Sequence, residues 1–208
     1  MELTLRDRAA SYARAFPQWP GSWLTVIGEQ DREVLQGVWM FGQDYRNKSG
    51  YYGAYPGNYL DRLAALFPDF TIHPGTLAFE SFPVLHAFSG SLGSGPYWRC
   101  DIKQQAEFNC DVVDLPAAVV ASGVGPFGLI VADPPYTSED AKKYGTAMVQ
   151  RLAVTSVLSK VALPGAFLAW LDTTWPMHSK AEWVTVGRIY IQRSTNHRVR
   201  LLSLFQRA

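Results

Sequence analysis

The sequence has few of the features that define several large protein classes. It contains two cysteines, Cys100 and Cys110, which form no zinc-type cluster. It shows no secretion signal and no apolar run of membrane length, and it has neither repeats nor low-complexity segments. These absences favour a cytoplasmic protein with reduced thiols that does not act in a membrane.

Charge is also scarce, whereas aromatic residues are plentiful. Only 18% of residues are charged and the formal net charge is +1, so any surface that attracts nucleic acid must be local. The 208 residues, 48% of them apolar, are enough for one well-packed globular domain. Aromatic residues make up 13%, with 7 Trp and 10 Tyr, which suits either stacking on planar ligands or a large core.

The most informative stretch is residues 128–136 (GLIVADPPY). Its apolar, β-branched run predicts a short buried strand that ends at Asp133. Pro134 and Pro135 stop the strand there, because proline cannot donate to a ladder and keeps its predecessor out of the helical region. In open α/β sheets, ligands bind at the carboxyl ends of the strands. We therefore expect the acid and the ring of Tyr136 to lie at a binding site.

Asp-Pro-Pro-Tyr after an apolar strand resembles the motif of S-adenosylmethionine-dependent amino-methyltransferases, which methylate exocyclic nitrogens of nucleic-acid bases. The resemblance implies that Asp133 and the Pro134 carbonyl accept the two amino hydrogens and aim the nitrogen lone pair at the methyl group. It implies that Tyr136 stacks on a base flipped out of its helix. It assigns the catalytic motif to Asp133, Pro134, Pro135 and Tyr136. The alternative is a proline turn in which Asp133 caps a helix.

A glycine-rich loop precedes this motif. Residues 81–88 predict the first strand of the sheet, and small residues follow it, which lets backbone N–H groups approach a ligand. The family's usual pattern is acid-x-Phe-x-Gly-x-Gly. Phe88 and Gly90 match it, while His86 replaces the acid and Leu92 the second glycine. The resemblance implies contacts to S-adenosylmethionine from His86, Phe88, Ser89 and Gly90.

Two acids follow at spacings that fit successive strand ends. Asp101 comes at the tip of a strand predicted over residues 97–100, where the family binds the ribose hydroxyls. In the next segment of the family, the first acid accepts from the adenine amino group of the cofactor. That role falls to Asp111, beside Val112, and Asp133 completes the cofactor site. Asp114 is better interpreted as a helix N-cap or a surface residue.

The resemblance covers residues 57–208 and implies a Rossmann-like seven-stranded methyltransferase sheet, mostly parallel with a C-terminal antiparallel hairpin. The hairpin is predicted over residues 183–205 from two alternating segments joined by a turn-rich link. Helices are predicted over residues 3–16, 58–67 and 146–161. We expect one methyltransferase domain over residues 1–208, in which residues 1–56 form an N-terminal extension packed on the core of 57–208.

The function implied by the resemblance is methylation of the N6 amino group of adenine in DNA, because cytosine-specific relatives more often begin the motif with Ser. Two alternatives remain open, an RNA base amino-methyltransferase and a catalytically silent protein that binds nucleic acid or a partner. No stretch is long enough for a large target-recognition insert. Three explanations stay open: residues 1–55 and the loop after Tyr136 recognise the target, specificity is low, or a homodimer or separate recognition subunit supplies the recognition.

Several residues are candidates for contact with nucleic acid. A loop over residues 42–55 combines Tyr, Gly, Asn, Arg and Lys, although a solvated loop explains it equally well. The C-terminal hairpin is the most basic part of the chain, which a protected sheet edge explains as well. The predicted contacts are Tyr136, Lys142, Lys143, Arg193, His197 and Arg198.

Overall fold

The protein's structure is a computed structural model that describes residues 3–17, 22–28, 33–41, 55–73, 82–193 and 199–208, with the backbone alone at Arg193. The predicted loop over residues 42–54 lies outside this part of the chain, as do His197 and Arg198.

The described residues form one eight-stranded sheet with the strand order β1-β2-β7-β8-β6-β5-β3-β4. The strands are β1 (Trp23–Ile27), β2 (Val34–Phe41), β3 (Val84–Ala87), β4 (Trp98–Cys100), β5 (Phe127–Ala132), β6 (Ala162–Asp172), β7 (Trp183–Arg193) and β8 (Val199–Arg207). Strands β1 and β8 run opposite to the other six. The predicted number of seven strands is therefore wrong, because β1 and β2 of the N-terminal region extend the sheet.

The predicted C-terminal hairpin is confirmed, since β7 and β8 pair antiparallel and β8 lies between β7 and β6. The four strands β4, β3, β5 and β6 are parallel neighbours. The chain goes from β3 outward to β4 and then crosses to β5 on the other side of β3. This reversal of strand order is a topological switch point, where the carboxyl ends of two strands open a crevice.

Helices cover both faces of the sheet. They are α1 (Leu5–Ala15), α2 (Tyr59–Leu66), α3 (Leu115–Ser122), α4 (Ser138–Tyr144) and α5 (Arg151–Ser159). Helices α1 and α2 belong to one apolar core, and α3 and α5 to the other. Alternate residues of β5 enter the two cores, with Leu129 and Val131 on the α1/α2 side and Ile130 and Ala132 on the α3/α5 side. Burial on both faces explains why β5 is a continuous apolar run.

The N-terminal elements are anchored by buried arginines. A capping box between Thr4 and Asp7 begins α1. Arg8, in the same helix, is buried and makes a bidentate ion pair with Asp69 at 2.6 and 2.7 Å. Arg62 of α2 is fully buried and donates to the Met40 carbonyl of β2 at 2.8 Å. Arg8 thus ties α1 to the segment after α2, and Arg62 ties α2 to β2.

Three local features concern the starts of helices. Asn58 stands at the N-cap position of α2, its side chain makes no capping bond and its φ is +62°. Asp114 is exposed and stands at the N-cap position of α3, which agrees with its interpretation as an N-cap or a surface residue, although its side chain makes no cap bond. Asp111 caps a short 3-10 helix at Val112–Asp114. The predicted helix over 146–161 begins only at Arg151, because residues 145–150 form an irregular segment beside a cavity.

Candidate functional site

A cavity of about 510 Å³ opens at the carboxyl ends of β3, β4 and β5. It lies at the switch point between β3 and β5, on the α3/α5 side of the sheet. Its walls come from three parts of the chain: the loops that follow β3 and β4, the 3-10 helix with the end of β5, and the segment between α4 and α5. Of the predicted site residues, it contains Phe88, Gly90, Asp101, Asp111, Val112, Asp133 and Pro135.

The end of β3 has an unusual backbone. Phe88 has a φ of +60° and Gly90 a φ of +54°. A positive φ is uncommon for a residue with a Cβ and costs roughly 1–3 kcal/mol. It lets the chain reverse so that the Gly90 N–H donates to Asp101 Oδ2 at 2.8 Å. The loop after β3 and the acid after β4 are thereby joined into one wall of the cavity.

The structure places His86 and Ser89 away from the cavity walls. His86 is fully buried on the α1/α2 side, with Nε2 2.9 Å from the Ile72 carbonyl and Nδ1 3.1 Å from the Tyr55 hydroxyl. Because a carbonyl only accepts, Nε2 carries the proton and Nδ1 accepts from Tyr55. Burial lowers the pKa of His86 to about 4, so the ring is neutral. His86 therefore packs rather than replacing the family's acid.

Asp101 and Asp111 lie in the cavity wall and also organise their own loops. Asp101 Oδ1 accepts from the backbone N–H groups of Lys103 and Gln104, each at 2.8 Å. Asp111 Oδ1 accepts from the Val113 N–H at 3.1 Å. Each carboxylate oxygen has two acceptor positions, so within the described part of the chain Oδ2 of Asp101 and both oxygens of Asp111 keep acceptor capacity.

Asp133 follows β5 directly and forms part of the cavity wall. Burial raises the pKa of its carboxyl to about 6, although the nearby charge of Arg200 and a hydrogen bond from Tyr136 lower it and the charge of Asp172 raises it. The Tyr136 hydroxyl donates to Asp133 Oδ1 at 2.5 Å. A desolvated acid at a strand end, beside a cavity, is a typical functional group.

Pro134 and Tyr136 lie outside the cavity walls. The ring of Tyr136 packs at the margin of the α1/α2 core, and the guanidinium of Arg200 lies over it, 4.9 Å from the ring centroid. The resemblance predicts that a nucleic-acid base stacks on Tyr136, but the guanidinium of Arg200 covers a face of this ring. Nearby, the hydroxyl of Tyr59 is buried and finds no hydrogen-bond partner among the described residues. Burial first, and then the charge of Asp133, raise the pKa of Tyr59 well above its usual value.

Sequence reasoning missed the ion pair that supports this motif. Asp172 ends β6 as Asp133 ends β5, and it is fully buried. Arg151, the first residue of α5, donates to both of its carboxylate oxygens at 2.8 and 3.1 Å and to the Tyr136 carbonyl at 3.2 Å. The position of Asp172 at the end of a predicted strand could have indicated it as a candidate, but nothing in the sequence indicates that it pairs with Arg151.

The polar segment after Tyr136 forms α4. Thr137 caps its first turn and Gly145, with a φ of +66°, ends it. Lys142 and Lys143 are exposed in its last turn. They lie on a solvated helix that leads into the cavity wall, and the side chain of Arg193 is outside the described part of the chain.

Two further observations concern the described residues only. No group of three or more His, Cys, Asp or Glu side chains is arranged to hold a metal ion. No helix has the length and the apolar character needed to cross a membrane.

Comparison with known proteins adds little to this geometry. No protein-family profile matches the sequence, and no significant match exists among curated proteins. The solved structure of TrmN from Thermus thermophilus is similar with 14% identity over 62% of this chain and 44% of that one, at a TM-score of 0.37. The structure of SMU.776, a proposed methyltransferase complexed with SAH, is similar with 11% identity over 90% of this chain and 57% of that one, at a TM-score of 0.40.

This chain spans about half the length of each of these two proteins. Identities this low, at TM-scores below 0.5, leave the interpretation of the site to its own geometry.

Proposed function

We propose that the protein transfers a methyl group from S-adenosylmethionine to the exocyclic N6 amino group of adenine in DNA. The observation that carries this proposal is the position of Asp133. Asp133 is the first residue of the Asp-Pro-Pro-Tyr motif and lies at the carboxyl end of β5. Its carboxyl is desolvated and forms part of the wall of the cavity at the switch point. The motif gives the reaction class, and the geometry supports it by bringing the acid and the cavity together.

The residues of the cavity fit S-adenosylmethionine. A volume of about 510 Å³ is within the range of small-molecule sites. The carboxylates of Asp101 and Asp111 offer acceptors for ribose hydroxyls and for an adenine amino group. Phe88 and Val112 supply apolar surface between them. When bound, this cofactor supplies an electrophilic methyl group.

Asp133 performs the acceptor role. Since the pKa of its carboxyl is about 6, most of it is ionised at pH 7 and above. An ionised carboxylate accepts a hydrogen from the amino group and, with the Pro134 carbonyl, draws the nitrogen toward a tetrahedral geometry. The desolvated setting strengthens these hydrogen bonds. A carboxylate with this pKa is also able to hold the proton that the amino nitrogen loses.

Neighbouring groups orient Asp133. The hydrogen bond from Tyr136 fixes one of its oxygens, and the bond from Arg151 fixes the Tyr136 carbonyl. A base that stacks on the covered face of Tyr136 displaces the guanidinium of Arg200, whose donors then become available to the substrate. We also propose that a second copy of the chain or a recognition subunit selects the target site.

The test is transfer of labelled methyl from S-adenosylmethionine to single-stranded DNA, duplex DNA and total RNA, followed by mass spectrometry of the nucleosides. We expect N6-methyladenine from DNA, and its loss in Asp133→Asn. Asp114→Asn is the matched control, because Asp114 is an exposed acid outside the cavity walls.

Methyladenine in RNA alone would replace the proposal with the RNA alternative. Absence of transfer, together with no binding of S-adenosylhomocysteine by calorimetry, would overturn the enzymatic function and favour a silent binding protein.

A further inference from the structure

Within the described part of the chain, no helix covers one face of the sheet where β1, β2 and β7 lie side by side. Residues in register across neighbouring strands point to the same face. One such row contains Trp23, Val38 and Tyr190, and the next contains Thr25, Gln36 and Arg188. We name these two rows the open face. Trp23 is 51% exposed and Tyr190 is 52% exposed.

The opposite face of the same strands is covered. Trp39, the neighbour of Val38, is fully buried and stacks on Tyr12 of α1 with 5.5 Å between ring centroids. Ile189 and Ile191 flank Tyr190 and are buried in the α1/α2 core. The outward face of a sheet covered on one side is normally polar. Exposed aromatic residues in its place mark a binding surface.

The electrostatics of this region favour an anionic partner. None of the four strands β1, β2, β7 and β8 contains Asp or Glu, and the register places Arg188 of β7 on the open face beside Gln36. Arg188 lies on the open face, with its guanidinium 4.6 Å from the ring centroid of Trp175. Among the described residues it makes no hydrogen bond or ion pair, so its N–H groups remain available to a ligand.

We propose that the open face binds a single-stranded segment of nucleic acid, with unpaired bases stacked on Trp23 and Tyr190 and a phosphate bound by Arg188. The choice of nucleic acid as partner rests on the proposed function. Aromatic rings beside cations on an exposed sheet are the chemistry that binds single strands without reading their sequence.

The placement of the two rings suits this role. Trp23 and Tyr190 are separated by one strand, which is two strand spacings or roughly 10 Å. Tyr190 lies near the carboxyl end of β7, which runs parallel to β5. The open face therefore extends toward the edge of the sheet at which Asp133 lies. A strand bound there leads toward the candidate active site.

The test is fluorescence anisotropy with short labelled oligonucleotides, as single-stranded DNA, single-stranded RNA and duplex DNA. We expect single strands to bind more tightly than duplex, and Trp23→Ala and Tyr190→Ala each to weaken single-strand binding about 5- to 150-fold. Trp23→Phe and Tyr190→Phe keep a ring and should retain most of the affinity. Arg188→Gln should reduce the salt dependence of binding by about one ion.

Val184→Ala is the matched control, since Val184 lies on the same strand, is 52% exposed and faces the opposite side. Unchanged single-strand binding in both ring variants would overturn the inference. So would a dimer in sedimentation that Trp23→Ala dissociates while oligonucleotide affinity stays the same. Binding of S-adenosylhomocysteine is measured in parallel, because it tests the cofactor site without depending on the open face.

Discussion

Burial raises the pKa of the Asp133 carboxyl to about 6 from an ordinary value of 3.8, so the folded protein holds this proton more tightly than the unfolded chain. The protonated carboxyl therefore contributes to the free energy of unfolding fully below pH 3.8, and this contribution is lost as the pH rises through 6. We therefore expect Asp133→Asn to be more stable than the wild type by roughly 1–3 kcal/mol at pH 8, with no gain below about pH 4. Denaturant unfolding across this pH range measures the difference.

Asp114→Asn is the matched control for this measurement, because Asp114 is an exposed acid. A constant difference between Asp133→Asn and the wild type at all pH values would contradict the expectation. An acid that lowers stability at neutral pH is understandable if its charge serves a reaction.

Arg200 is the cation that acts on Asp133 without forming an ion pair with it. Among the described residues, the titratable and charged groups that interact with Asp133 are Arg200, Tyr136, Asp172, Tyr59 and Tyr55, and of these only Arg200 is positively charged. Loss of this charge in Arg200→Met should raise the pKa of Asp133, so the rate of the proposed methyl transfer should begin to fall at a higher pH. Arg200→Lys keeps the charge and should leave the pH dependence of the rate nearly unchanged. The rate measured as a function of pH tests this, and the difference in unfolding free energy caused by Asp133→Asn reports the same pKa without substrate.

At the scale of elements, the contact between α5 and the end of β6 holds the motif loop. Asp172 is fully buried, and Arg151 neutralises it while also binding the Tyr136 carbonyl. Arg151→Met leaves a buried charge uncompensated and should cost about 3–5 kcal/mol in the free energy of unfolding. Adding Asp172→Asn removes that charge and should restore part of the loss. Chemical unfolding of the two variants measures both effects. If Arg151→Met lowers the free energy of unfolding by less than about 1 kcal/mol, Arg151 does not compensate the buried charge of Asp172 in the way proposed.

At the scale of the whole molecule, β2 belongs to the main sheet although it comes from the N-terminal region. Trp39 on β2 is fully buried between α1 and the sheet, while Trp23 on β1 is half exposed. Trp39→Ala should therefore destabilise the protein by about 3–5 kcal/mol. Trp23→Ala should change stability by less than about 0.5 kcal/mol. In thermal or denaturant unfolding, a loss for Trp39→Ala as small as that for Trp23→Ala would show that β2 is not part of the cooperative unit.

The sequence by itself determined those features that depend on neighbouring residues. The run of apolar residues before Asp133 specifies a strand, and the prolines after it end that strand at an acid, because backbone geometry and hydrogen bonding act locally. The alternation in β7 and β8 specified the hairpin for the same reason. Phe88 and Gly90 at the end of β3 were also visible as candidates for the cavity wall.

Only the tertiary structure decided which distant residues meet. The strand order brings Asp101 and Asp111 to the cavity that contains Asp133, and it adds β1 and β2 to the far side of the sheet. The fold also directs the side chain of His86 into the α1/α2 core. Both faces of β3 are buried, and the sequence does not say on which face the cavity lies. The partners of Asp172 and Tyr136, Arg151 and Arg200, come from elements that pack together only after the sheet has formed.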